Sequence, residues 1–211
     1  MNAKANVAGL LLAGGRSSRM GGGDKCLRPL AGKPILACII ERLRPQVSDI
    51  VINANGDASR FAAYGLPVVA DSIAGYAGPL AGVHAGLEWF RANRPSITCV
   101  VTIATDTPFF PFDLVDRFRA EAGNEPALAV ARSDEGVHPV IGLWPVALAP
   151  ALEAFLKREQ RKVGQFAQEQ AAVEVYFPKV ELGGTAIDPF YNINAPEDLA
   201  RANAIMMGQV R

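Results

Sequence analysis

The chain has 211 residues and a mass of 22.4 kDa, with 50% hydrophobic and 20% charged residues, enough for one domain with a sizeable core and too apolar for disorder. Lys plus Arg and Asp plus Glu number 21 each, so the zero formal charge excludes the global basic field of a non-specific nucleic-acid binder. No apolar run approaches the roughly 18 residues of a membrane span, and Gly14-Gly15-Arg16 ends the Val7–Ala13 run too early for a signal peptide.

Cys26, Cys38 and Cys99 contain no CxxC pair, and only His84 and His138 could join them, so neither a disulfide framework nor a structural zinc site is expected. The expectation is one cytoplasmic domain spanning residues 1–211. In chain order, the short apolar run Val7–Leu12 ends at glycines and reads as a buried strand. A glycine-rich loop follows from Ala13 to Lys25. Pro34 opens a helix to about Arg44, with Ile35, Leu36, Ile39, Ile40 and Leu43 at helical spacing. Strands are expected at 49–53 and 66–70, a helix from Pro79 to about Ala92, and a strand buried on both faces at 98–104.

Beyond it come a helix over 112–122, strands at 127–131 and 140–144, helices at 146–158 and 163–170, a strand at 173–177 and a last helix over 196–206. Strands alternating with helices predict an α/β domain with a largely parallel central sheet. Ligands of such sheets sit beyond the carboxyl ends of the strands, so the loops after Leu12, Asn53, Ala70 and Ala104 should converge on one crevice.

The loop Ala13–Lys25 holds five glycines with Arg19 and Lys25, a composition that presents successive N–H groups and two cations to phosphate oxygens. It is neither a Walker A loop nor GxGxxG. Asp106, just past the 98–104 strand, could hold magnesium on phosphate oxygens or could shape the turn into Thr107-Pro108. Asp71 has the same placement and the same two readings. Asn53 and Asn55 could read a base edge or make Asx turns. Gly78-Pro79-Leu80-Ala81-Gly82 reads as helix initiation by Pro79, with an N-terminus that favours an anion or a carbonyl group. Asn194 is an N-cap candidate for the last helix, and Asn192 faces the same side. The charged run Lys157–Lys162 reads as a solvated helix end. Nothing matches GxSxG or HExxH.

Taken together, these segments resemble one family. Leu12-Ala13-Gly14-Gly15, Arg19-Met20-Gly21-Gly22 and Asp24-Lys25 are similar to the signature loop of the sugar-1-phosphate and cofactor nucleotidyltransferases. Asn53-Ala54-Asn55, Asp71-Ser72, Gly78–Gly82, Asp106-Thr107-Pro108, His138-Pro139 and Asn192–Leu199 narrow the resemblance to molybdenum cofactor guanylyltransferases, over about Val7 to Ala204. The resemblance implies a three-layer Rossmann-like nucleotidyltransferase fold. It also implies transfer of GMP from GTP to the phosphate of molybdenum-carrying molybdopterin, with release of pyrophosphate.

The same resemblance places Leu12, Ala13, Gly14, Gly15, Lys25, Asn53, Asp71, Gly82 and Asp106 at the nucleotide, with Arg19, Lys25 and Asp106 catalytic and Asp106 the ligand of Mg2+. Asn192 and Asn194 match asparagines near the cofactor end, and Arg161-Lys162 matches a paired-basic segment for the pterin phosphate. Lys162 stands where the family often has Arg, which weakens a bidentate role. The implied partners are GTP, molybdenum-molybdopterin, cofactor-delivering proteins and recipient molybdoenzymes, with neither nucleic acid nor membrane, and a monomer is expected. Two competing readings are a cytidylyltransferase for the same cofactor, whose loop carries Ala at position 14, and a non-catalytic nucleotide-binding relative.

Overall fold

The computed structural model describes residues 6–14, 24–73, 78–123 and 127–208. The elements in order are β1 (Val7–Leu12), β2 (Pro29–Leu30), β3 (Lys33–Pro34), α1 (Ile35–Leu43), β4 (Ile50–Asn53), β5 (Val68–Val69), α2 (Pro79–Asn93), β6 (Cys99–Ala104) and α3 (Leu114–Ala122). They continue with β7 (Ala129–Ser133), β8 (Gly136–Pro145), α4 (Ala149–Lys157), α5 (Val163–Glu169), β9 (Val173–Tyr176), β10 (Val180–Leu182), β11 (Thr185–Ile187) and α6 (Pro196–Met206). Among the described residues, seven strands form one sheet in the order β5-β4-β1-β6-β8-β7-β9. β5, β4, β1 and β6 pair in parallel and so do β7 and β9, while β8 runs antiparallel to both neighbours.

The two-residue alternation of β1 sorts its side chains between two cores. Val7 and Leu11 join α1, α3 and α6 through Ile39, Leu43, Phe118 and Ile205. Ala8 and Leu10 join α2, α4 and α5 through Val83, Phe90, Phe155 and Phe166. Leu10 and Leu11 are both fully buried, and burying each side chain is worth about 2 kcal/mol. Helices on both faces of a mostly parallel sheet make the three-layer α/β arrangement that the sequence predicts.

Register then decides where the loops emerge. Leu12 lies level with Asn53 and with Ala104, and Asn53 lies level with Val69. Backbone bonds carry this alignment past the strand ends: Ala13 N donates to Asn53 O (2.8 Å), Ala54 N to Val69 O (3.0 Å) and Thr105 N to Leu12 O (3.3 Å). The four parallel strands therefore release their loops side by side along one edge.

Several features escape the sequence pattern. The strand expected at 140–144 is the second half of the ten-residue β8, paired with β7 through a register shift between Val130 and Ala131. Residues 29–34 and 180–187 form two small antiparallel hairpins, and Ala58–Tyr64 forms a 3-10 turn capped by Asp57, whose carboxylate accepts from Ser59 N at 2.9 Å. The last helix begins at Pro196 as expected, but its N-cap is Ala195 and not Asn194.

Candidate active site

Two side-chain clusters stand at the loop-bearing edge. In the first, Lys25 Nζ donates to Asp106 Oδ2 at 2.7 Å and to Asn194 Oδ1 at 2.9 Å. Lys25 is placed by the short 3-10 turn Lys25–Leu27, and Asp106 by the end of β6. Asn194 reaches Lys25 because it is released from capping. Asp198 Oδ2 instead accepts the backbone N–H groups of Asn194 and Ala195, each at 2.8 Å. Asp198, at the third helical position, makes the reciprocal half of a capping box by reaching back to the N-cap backbone N–H, with charge favourable at a helix N-terminus. Ile193 N donates to Asp106 O at 2.9 Å, tying this segment to the end of β6.

In the second cluster, Asp71 receives Asn53 Nδ2 on Oδ1 (2.9 Å) and Asn55 Nδ2 on Oδ2 (2.8 Å). Asp71 N donates back to Asn55 Oδ1 at 2.9 Å, and Asn53 Nδ2 also reaches Val69 O at 3.1 Å. The Asx-turn reading of the two asparagines does not hold, because they fix Asp71. Gly82, in the first turns of α2, packs against Asn53: a Cβ there would lie 2.2 Å from Asn53 Oδ1 and 3.1 Å from Leu12 Cδ2. By contrast, a Cβ on Gly14 would meet nothing within 4 Å among the described residues.

Asp106 carries one more feature. Its second oxygen, Oδ1, is buried and has no hydrogen-bond partner among the described residues. A buried carboxylate oxygen left without a donor is costly unless a cation or donor arrives, so Asp106 fits a divalent ion held jointly with phosphate oxygens. Among the described residues no group of three or more His, Cys, Asp or Glu could form an all-protein metal cage.

Cys26, His84 and His138 have structural settings. Burial, and next the Asp24 charge, push the Cys26 thiol up to about 11, so it is protonated and inert at neutral pH. Burial holds His84 and His138 below the ordinary imidazole range, and each shares a hydrogen bond with a serine, Ser72 at 3.0 Å and Ser133 at 2.8 Å.

A family model described as the MobA-like NTP transferase domain matches residues 9–173, which contain Lys25, Asn53, Asp71 and Asp106. The chain belongs to this family. A Mesorhizobium japonicum molybdenum cofactor guanylyltransferase is 48% identical over 205 residues, covering 96% of this chain and 97% of that protein. A second protein of that name, from Bradyrhizobium, is 49% identical over 94% of this chain and 92% of its own length. Among solved structures, the Archaeoglobus fulgidus molybdopterin-guanine dinucleotide biosynthesis protein A superposes with a TM-score of 0.70 at 24% identity, covering 95% of this chain and 98% of that one. A Mycobacterium tuberculosis protein in complex with manganese superposes at 0.65 with 18% identity, covering 93% and 97%. At those identities the likeness establishes the fold.

Within this MobA-like transferase, the sequence-predicted residues divide into three groups. Leu12, Ala13, Gly14, Asn53, Asp71, Gly82, Lys25, Asp106 and Asn194 lie at the loop-bearing edge, and Asn192 is exposed on the segment that carries Asn194. Arg161 and Lys162 are exposed residues immediately before α5, Lys162 occupying its N-cap position, and they adjoin neither cluster in sequence. Gly15 and Arg19 lie outside the described residues. Sequence pattern does not single out Arg60, which pairs with Asp24 through a 2.7 Å contact from Nε to Oδ2, nor Asp198 as the acceptor of the Asn194 and Ala195 amides. An acidic residue three places into a helix that follows an Asn-Ala pair is a usable signal for the latter.

Proposed function

We propose that the chain is a molybdenum cofactor guanylyltransferase, which joins the GMP of GTP to the terminal phosphate of molybdopterin and releases pyrophosphate. The observation that carries this reading is the pairing, along one sheet edge, of a Lys25–Asp106–Asn194 cluster with an Asn53–Asp71–Asn55 cluster. One end suits phosphates and the other suits a base.

The reaction forms a bond between a pterin phosphate oxygen and the α-phosphorus of GTP, and breaks the bond from that phosphorus to the bridging oxygen of pyrophosphate. The attacking oxygen is ionised at neutral pH, so no strong general base is needed. The obstacles are repulsion between two polyanions and charge growing on the departing pyrophosphate. An ammonium group has three N–H donors. Lys25 commits two of them to Asp106 and Asn194, which leaves the third aimed by its partners at a phosphate oxygen. Arg19 and the glycine-rich loop add a fork and backbone donors. Asp106 would hold Mg2+ through Oδ1, and the ion supplies neutralisation of phosphate charge when bound.

At the base end, guanine offers two adjacent donors, N1–H and the 2-amino group, and a carboxylate accepts both. Asp71 spends one lone pair of each oxygen on Asn53 and Asn55 and keeps acceptor capacity for the base. Gly14 leaves room beside β1 for the larger ring. Asn192 and Asn194 face the pterin end, and Arg161 with Lys162 receives the pterin phosphate. The protein acts as a cytoplasmic single domain and a monomer.

The test is incubation with Mg2+, molybdopterin and either labelled GTP or labelled CTP. Guanine dinucleotide product with stoichiometric pyrophosphate is expected from GTP. Equal or faster turnover of CTP would assign the chain to cytidylyl transfer, and nucleotide binding without product would make it a non-catalytic relative.

A further inference from the structure

Arg60 sits between the two clusters and belongs to neither. Its side chain leaves the 3-10 turn Ala58–Tyr64, whose start is fixed by the Asp57 cap, and its guanidinium lies 4.6 Å from the centroid of the fully buried Phe61 ring. Nη2 donates to Asn55 O at 2.7 Å and Nη1 donates to Asp57 O. Gly56, between those two carbonyls, has φ +82, a left-handed conformation that turns both toward one fork, and a Cβ there would stand 3.6 Å from Nη1. On its remaining side the guanidinium contacts Asp24 Oδ2 at 2.7 Å through Nε, with both side chains only 24% exposed.

We infer that Arg60 is a positioning residue that couples the base-reading end of the nucleotide site to its phosphate-binding end. The inference rests on the reading of Asp71 as the base acceptor and Lys25 as the phosphate donor. Asn55 is the common member on one side, because its carbonyl is held by Arg60 and its amide clamps Asp71 at two points. Asp24 is the common member on the other side, because it immediately precedes Lys25. A planar guanidinium presents its donors in a fixed fork, so bonding two carbonyls while ion-paired with a carboxylate sets the spacing between those groups. Neither Arg60 nor Asp24 touches Lys25, Asp106 or Asp71 through its own side chain in this arrangement. Its effect is on how well one end of the site is ordered when the other is filled.

The experiment measures that coupling with two fragments of the nucleotide, guanosine and magnesium pyrophosphate, by calorimetry. In the parent protein, saturating guanosine is expected to tighten pyrophosphate about fivefold or more, and reciprocally. In Arg60→Met, which keeps the packed stem without the fork, this factor should fall to near one. Asp24→Asn, which removes the ion pair and leaves the two carbonyl bonds, should weaken it in the same direction and serves as the independent variant if Arg60→Met folds poorly. Arg60→Lys should not restore the parent factor, since one ammonium cannot span all three acceptors. A coupling factor in Arg60→Met and Asp24→Asn within twofold of the parent would overturn the inference while leaving the site reading intact. Equal weakening of both fragments with the factor unchanged would do the same, being a stability effect alone. If the parent binds neither fragment, and Lys25→Met and Asp71→Asn leave GTP kinetics unaltered, the site reading itself falls and takes the inference with it.

Discussion

Gly82→Ala is a one-carbon test of the base-reading cluster. The added Cβ would lie 2.2 Å from Asn53 Oδ1, 2.8 Å from Asn53 Cγ and 3.1 Å from Leu12 Cδ2. Backbone strain plays no part, because position 82 lies within α2, where Ala is favoured over Gly by about 1 kcal/mol. Overpacking costs about 1–3 kcal/mol, so the net loss is about 0–2 kcal/mol and the melting temperature should fall by less than about 8 °C. Asn53 is the group that must yield. Turning it away gives up its bonds to Asp71 and to Val69 O, and leaves Asp71 held by Asn55 alone.

A misplaced base acceptor is expected to cost about 1.4–2.8 kcal/mol of transition-state binding, or roughly a ten- to hundredfold fall in kcat/KM for GTP. The assay is steady-state GTP turnover on molybdopterin beside a thermal melt. A second arm sharpens it: the Gly82→Ala loss should disappear on top of Asn53→Ala, because both act through one amide. GTP kinetics within twofold of the parent, or fully additive losses, would refute the reasoning.

Gly14→Ala should leave the melting temperature unchanged, since its methyl meets no atom of the described residues, yet should lower kcat/KM for GTP more than for CTP by about tenfold; an unchanged nucleotide ratio would place specificity elsewhere. Asp106→Asn should fold normally and bind GTP while losing transfer by about a hundredfold or more, and turnover within a few fold at saturating Mg2+ would contradict the metal role of Oδ1. Thr102→Val removes a buried hydroxyl that donates to Val140 O (2.6 Å) and accepts Trp144 Nε1 (2.9 Å) and Gly142 N (3.2 Å); stranding both donors should cost about 2–4 kcal/mol, read by denaturant unfolding.

His84 and His138, held low chiefly by burial, take protons in the unfolded chain near the ordinary value of 6.5 but only at lower pH when folded. Unfolded protein therefore binds more protons as pH falls through about 6.5, so this part of stability is full above that pH and is lost below it. The melting temperature should drop between pH 7.5 and 5.5, and a His84→Gln, His138→Gln double variant with the same slope would refute the assignment.

Sequence pattern carries most of this fold because the strands and helices bury what their periods say they bury. β1, α1, β6 and α6 appear within two residues of where their apolar spacing places them. The placement of Asp71 and Asp106 beyond strand ends is legible because a parallel sheet sends its loops to one edge. What the pattern misses is set by partners far away in sequence. β8 reads as a short strand at 140–144 since its first half, from Gly136, is only partly buried and lacks an apolar signature. The two small hairpins bury little and leave little trace. Asn194 reads as a cap because its partner Lys25 lies 169 positions away, and Asn55 stays open between a base edge and an Asx turn because its partner Asp71 lies sixteen residues on. Arg60 has no local signature at all.

The Lys25 ammonium joins residues 81 and 169 positions apart, so three distant stretches of polypeptide meet at one nitrogen. Closing the longer loop instead of the shorter costs only about 0.6 kcal/mol of chain entropy, a small sum in equilibrium terms. Its weight falls on timing. Pairing of β1 with β6 can precede the docking of α6, but the third vertex of the cluster cannot exist until that last helix is seated. A partly assembled chain thus has a sheet and a core before it has a working site. On the proposed reading of the cluster, catalytic competence is thereby made a reporter of finished topology.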